Sequence, residues 1–420
     1  MYQKTTLDNG LRLVTSTMPH TRSVCISLFI GTGSRYESDT EAGTSHFIEH
    51  ILFKGSTKYP SPGEISAAIE GIGGILNGGT DKELTVYWCK VTQQHFPLAL
   101  DVLTDMLLHP RFDLEEITKE RQVIIEEINM CKDSPSQEAN MLIDGLIWPN
   151  HPLGRDVAGS KESVAGITRE AMLDYLDRQY QPDNTVVAIA GNIRHQQAVN
   201  AIRQVMDSWN SRKPPTSYSD YQPTPFQRVK IEKRDIEQSH LCLALPGLPL
   251  LHPQRFKLDL LNTVLGQGMS SRLFAEIRDR LGLVYSIHSY VEHFLDSGSL
   301  TIYAGVDTRN LTTAIKAILE QLNRIQETVP EAELARAREL SKGQMLLRME
   351  DSHNVAGWLG GQEILTRRIL TPEEVTAIID AITAEELKDL AQELIDGKSL
   401  RLAVVGPVAE DTPLEELLKL

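Results

Sequence analysis

The chain has 420 residues, 41% hydrophobic and 24% charged, with a formal net charge of −15. At ~150 residues per domain this length predicts two or three domains, with apolar side chains enough for a full core and no need of a disulfide scaffold. The acidic balance argues against a nucleic-acid partner, because phosphate binding needs clustered Lys and Arg; it suits neutral or cationic partners such as basic peptides.

The opening stretch, MYQKTTLDNGLRLV, has no basic region followed by an apolar run, so no secretory signal is expected. No stretch approaches the ~18 uncharged apolar residues of a membrane span. Cys25, Cys89, Cys131 and Cys242 form no C-x-x-C pair and read as reduced, mostly buried thiols of a reducing compartment, which predicts the cytoplasm.

Strand-like runs come first, LRLVTS and VCISLFIG, followed by helix-like segments, among them PGEISAAIEGIG and HFPLALDVLTDMLL. The mixture predicts an α+β fold. The segment Ser211 to Gln227 is rich in Pro, Ser and Tyr with no apolar period, and reads as a linker between a domain over 1–210 and a second over 228–420. The halves carry a faint repeat. Ile167 to Gly191 and Ile382 to Gly406 each run from Ile-Thr through an acidic helix start and a loop into an apolar strand ending in Gly. That pattern predicts two related domains, each a sheet packed with helices.

The segment GTSHFIEHILFKG holds His46, Glu49 and His50 in an H-x-x-E-H arrangement. In a helix, i and i+4 share a face, so both imidazoles can reach one Zn²⁺ at ~2.0–2.1 Å. Glu49, offset by ~100° from His50, can stand beside the metal as a base for metal-bound water. Phe47, Ile48, Ile51, Leu52 and Phe53 make this helix apolar nearly all round, as in a buried helix, and buried His and Glu side chains need partners. Gly55 is a helix stop.

A catalytic zinc needs a third protein ligand. The segment DLEEITKERQVIIEEINM, from Asp113 to Met130, reads as a helix with a capping-box-like start and a stripe of Ile117, Ile124 and Ile128. Glu120 and Glu127 share another stripe. Spacing alone does not choose among Glu120, Glu126 and Glu127.

These residues resemble the inverted-motif zinc peptidases, the M16 or pitrilysin-type family, whose signature is H-x-x-E-H, the inverzincin motif. The family's third ligand lies 77 positions after the second His, which here is Glu127, and its glutamate seven positions earlier matches Glu120. GGILNGGTDKELTVYW resembles the family's Asn-Ala-x-Thr substrate-binding edge strand, with Asn77 and Thr80 matching and Gly78 in place of the usual Ala. GQGMSSRLFAEIRDRLGLVYS resembles its Gly-rich segment and Arg/Tyr pair, Arg278 and Tyr285.

The resemblance implies two α+β domains of mainly antiparallel sheets that form half of a clamshell. It implies one Zn²⁺ per chain on His46, His50 and Glu127, Glu49 as general base and Glu120 as the partner of a ligand. It also implies a homodimer closing around unfolded peptides, with Arg278 and Tyr285 of one chain completing the other's site. Two other classes compete: a non-catalytic member, which would lack a ligand or the base, and a structural zinc protein, which would fill all four positions, usually with Cys.

Overall fold

The computed structural model describes residues 2–211, 214–224 and 227–420. The strands are β1 (Tyr2–Thr6), β2 (Arg12–Thr17), β3 (Ser23–Ile30), β4 (Ile75–Thr80), β5 (Thr85–Thr92), β6 (Thr185–Gly191), β7 (Val229–Lys233), β8 (Gln238–Pro246), β9 (Val284–His293), β10 (Gly298–Asp307) and β11 (Arg401–Gly406). The helices are α1 (Thr44–Leu52), α2 (Pro62–Glu70), α3 (Phe96–Leu108), α4 (Leu114–Asp133), α5 (Pro135–Ile147), α6 (Lys161–Gly166), α7 (Arg169–Gln179), α8 (His195–Met206), α9 (Arg255–Gly266), α10 (Leu311–Glu327), α11 (Glu331–Arg348), α12 (Ser352–Thr366), α13 (Pro372–Ala381) and α14 (Ala384–Leu394). Among the described residues no helix is long and apolar enough to cross a membrane.

Two sheets organise the chain, ordered β1-β2-β6-β3-β5-β4 and β7-β11-β8-β10-β9. Without β1 they share one topology. In each, the last strand in sequence inserts between the first two, parallel to one and antiparallel to the other. All other pairings are antiparallel. The repeat visible in the sequence supplies these inserted strands: α7 leads to β6 and α14 to β11. Thr168 and Thr383 cap the two helices, each hydroxyl accepting from the backbone N–H three residues on. Small and β-branched residues make up β6, TVVAIAG, which is buried along its whole length, as a central strand covered on both faces requires.

The chain divides into two compact units. The first comprises the stretch up to Ile128, Asp156–Ser219 and Leu346–Thr371; the second comprises Asn129–Arg155, Asp220–Met345 and Pro372–Leu420. Each unit therefore takes one segment from the opposite half of the chain, carrying α5 in one case and α12 in the other. A division at 211–227 alone does not describe these units. Of the expected linker, residues 211, 214–224 and 227 carry neither helix nor strand, and 212, 213, 225 and 226 lie outside the described residues. Within the first unit Tyr218 is held by Arg35, whose guanidinium lies 3.9 Å from its ring centre.

In the first unit, Leu13, Ile26, Leu28, Tyr87 and Ile189 pack with Phe47, Ile48 and Ile51 of α1 and with Ile117 and Ile124 of α4. The opposite sheet face, with Val14, Phe29 and Ala188, packs with Val355, Ala356 and Leu359 of α12. In the second unit, Cys242, Ala244, Ala403 and Val405 pack with Ala139, Leu142 and Ile143 of α5. All four cysteines are free, and only Cys131 is not fully buried.

The approach of α12 depends on Gly360, where a β-carbon would stand 2.1 Å from the Phe29 ring and 3.0 Å from Ala188 Cβ. Gly360→Val should lower unfolding free energy by ~1–3 kcal/mol through overpacking, read as a reduced midpoint in urea at unchanged slope.

Candidate metal centre

The site begins with α1. Gly43, at φ 93°, turns the chain into the helix, and the Glu37 carboxylate accepts from the backbone N–H of Gly43 and of Ser45. The helix ends at Leu52, and Gly55, at φ 145°, reverses the chain where a β-carbon would meet Pro60 O at 2.7 Å. Phe47, Ile48, Ile51 and Leu52 are buried, and the remaining face carries His46, Glu49 and His50. The two imidazole centres lie 4.6 Å apart.

The long helix α4 supplies the third donor. Asp113 starts it, its carboxylate accepting from Glu115 N–H, and Ile117, Ile124 and Ile128 anchor its buried stripe. Glu127 Oε2 lies 3.7 Å from His46 Nε2 and 3.6 Å from His50 Nε2. Two ligands at ~2.0–2.1 Å from a tetrahedral zinc stand about 3.3–3.4 Å apart, so both of these separations are close to those of ligands in such a site. Among the described residues, these three form the one group of three His, Cys, Asp or Glu side chains whose donor atoms all fall within 4.8 Å of one another. Two imidazoles and a carboxylate are a donor set that suits zinc. Glu126 is exposed, and neither Cys89 nor Cys131 joins the group.

Glu120 occupies the outer layer. Its Oε2 lies 3.0 Å from His50 Nδ1, and its Oε1 lies 2.7 Å from Lys54 Nζ. With His50 Nδ1 donating to Glu120, the Nε2 lone pair faces Glu127 and the metal position. Burial raises the Glu120 pKa, but the hydrogen bonds from His50 and Lys54 outweigh it and hold the carboxyl below its ordinary value. His46 Nδ1 is buried without a protein partner. Burial, with the neighbouring His50, lowers the His46 pKa to about 4, which keeps this imidazole neutral and able to coordinate.

Glu49 is held apart from this triangle. The Thr80 hydroxyl donates to its Oε2 at 2.7 Å, and the Thr80 backbone N–H donates as well. Burial raises the Glu49 pKa against these bonds. The strand β4 comes close to α1 at Gly78: a β-carbon there would sit 3.1 Å from the Phe53 ring and 3.3 Å from Glu49 Cγ, a tight fit. Asn77 is exposed on the outermost strand of its sheet, with its amide oxygen accepting from Gly78 N–H.

Arg278 and Tyr285 belong to the second unit. Arg278 lies in a π-helical segment, Phe274–Arg280, and donates from Nε to the carbonyl of Tyr285 at 2.9 Å. Ser286 pairs with Gly305 and Val284 with Val306, so Tyr285 is the extra residue of a β-bulge. The bulge aims its ring outward at 78% exposure. Lys54 and the bulge went unnoticed in the sequence. The i, i+4 spacing of His50 and Lys54 was a signal for the first; nothing local marks the second.

Comparisons with known proteins show the family. Residues 12–161 match the insulinase family, peptidase family M16, and residues 166–341 match the peptidase M16 inactive domain. The protein named uncharacterized zinc protease YmxG of Bacillus subtilis is 36% identical over 97% of this chain and 98% of its own length. An uncharacterized zinc protease of Mycobacterium leprae is 36% identical over 99% of this chain and 94% of its own length. A protease from Helicobacter pylori shares the fold with a TM-score of 0.91 at 20% identity, covering 97% of this chain and 99% of that one. The chain belongs to peptidase family M16, and the names of its relatives support a zinc metallopeptidase. The donor triangle lies wholly in the first matched segment, whereas Arg278 and Tyr285 lie in the second.

Glu127→Gln should weaken zinc binding by more than the ~10–100-fold typical of losing an outer partner, measured by metal content after dialysis. Full zinc content in that variant would move the third ligand elsewhere.

Proposed function

We propose that the chain is a zinc-dependent endopeptidase of unfolded peptides, with one zinc per chain held by His46, His50 and Glu127 and with Glu49 as the general base. The observation that carries this reading is the division of labour around α1: three donors converge on one point while Glu49 is held beside it by Thr80. Zinc, when bound, supplies Lewis acidity that polarises a carbonyl and lowers the pKa of water from 15.7 towards ~7.

The chain's own residues supply the rest. Glu49 accepts the proton of the attacking water and later delivers it to the leaving amine nitrogen. Its half-buried setting makes it a better proton acceptor than a fully solvated carboxylate, and the Thr80 hydroxyl bond orients it. The outer edge of β4, with Asn77, receives the peptide as an added strand. Tyr285 and Arg278 donate hydrogen bonds to substrate carbonyls, a role worth ~3–4 kcal/mol of barrier when aimed at the developing oxyanion.

Two chains pair as a homodimer around a closed chamber, each completing the other's site in trans with Arg278 and Tyr285. The net charge of −15 favours basic peptides as substrates. Four free cysteines suit the reducing cytoplasm.

Glu49→Gln should retain zinc and lose ~10²–10⁴-fold in hydrolysis of a quenched peptide. A zinc-loaded variant with ordinary turnover would remove Glu49 from the base role. Mixing Glu49→Gln with an inactive Tyr285→Phe should restore part of the activity, because the mixed dimer regains one intact site; no recovery in a confirmed mixed dimer would place both groups within one chain's site.

A further inference from the structure

We infer that Lys54 is a positioning residue for the metal: it anchors Glu120, which in turn orients His50. The inference rests on His50 being a zinc ligand and adds a third layer behind it. Each oxygen of the Glu120 carboxylate has one partner in this layer, His50 Nδ1 at 3.0 Å and Lys54 Nζ at 2.7 Å. Glu120 is only 5% exposed, so the carboxylate has little water to replace a lost partner.

The backbone around Lys54 is fixed as well. Lys54 N–H donates to Ile51 O in the last turn of α1. Gly55 then reverses the chain through a conformation that side chains rarely adopt, and Ser56 N–H donates to Tyr59 O within the turn that follows. Arg111 N–H donates to Gly55 O, which ties this turn to the chain just ahead of α4. Lys54 is thus a cation at a defined place, one helical turn beyond His50, bridging α1 to α4.

The two imidazoles differ in this respect. His46 Nδ1 has no protein partner, whereas His50 Nδ1 is backed by a carboxylate that is itself held by a cation. Removing Lys54 leaves a buried carboxylate oxygen without a donor. Glu120 is then free to rotate away from His50, whose ring loses the bond that aims Nε2 at the metal. The effect therefore appears in metal affinity and reaches Lys54 only through Glu120.

The test measures zinc affinity by competition with a chelator, for the full chain and for Lys54→Met, Lys54→Arg, Glu120→Gln and the Lys54→Met/Glu120→Gln double variant. Urea unfolding of each metal-free variant reports on the fold separately. Lys54→Met should bind zinc ~10–100-fold more weakly, Lys54→Arg should stay within about threefold of wild type, and the double variant should be no weaker than Glu120→Gln alone. Wild-type affinity in Lys54→Met, or full additivity in the double variant, would overturn the inference while leaving the metal site intact. A wild-type chain that takes up no zinc would instead overturn the site reading itself, and the role of Lys54 with it. Should Lys54→Met fail to fold, the same comparison is made with Lys54→Gln, for which a loss of affinity supports the anchor and wild-type affinity refutes it.

Discussion

Two imidazoles one turn apart on a buried helix set the terms for the first unit. The opposite face of α1 is packed into the core, with Phe47 and Ile48 fully buried. Each unpartnered buried polar group costs ~1–3 kcal/mol, so partners on the polar face of such a helix stabilise it. The face meets Glu127 from α4, Glu120 behind His50 and Thr80 from β4. The helix α1, the long helix α4 that carries Glu120 and Glu127, and the edge strand are therefore held to one another by the contacts of the site as well as by the core beneath it.

That arrangement is built on one half of a duplicated architecture. The two sheets share a strand order once β1 is set aside, yet the three metal donors all lie in the first half. The second half keeps the fold and carries a different feature, a bulged strand presenting Tyr285 beside Arg278. A shared topology fixes where strand edges and helix starts fall. It does not fix which side chains stand there, and the two halves have used that freedom differently.

Much of this was legible because it is local. The H-x-x-E-H spacing, the isoleucine stripe of α4 and the matched helix-loop-strand endings are all periodic or short-range patterns, and the structure carries each of them. The choice of Glu127 over Glu126 was open from periodicity, because adjacent helical residues differ only in the direction they face; the family spacing supplied it, and Glu126 is exposed. The exchange of α5 and α12 between units left no mark, since an amphipathic helix advertises an apolar face without naming the sheet that will cover it. The tight fit at Gly78, where a β-carbon would stand 3.3 Å from Glu49 Cγ, is a tertiary contact that no local pattern announces.

Three glutamates around one point show how environment assigns chemistry to identical side chains. Glu127 has 37% of its side chain exposed and faces both imidazoles. Glu120 is buried and held by His50 and by Lys54, bonds that favour its ionised form and occupy both oxygens. Glu49 is half-buried beside Thr80, and desolvation lifts its pKa. Under the proposed reading a ligand must offer electrons, an orienting group must stay charged and still, and a base must gain and release a proton. The differences in depth and partners among these three carboxylates match those proposed demands.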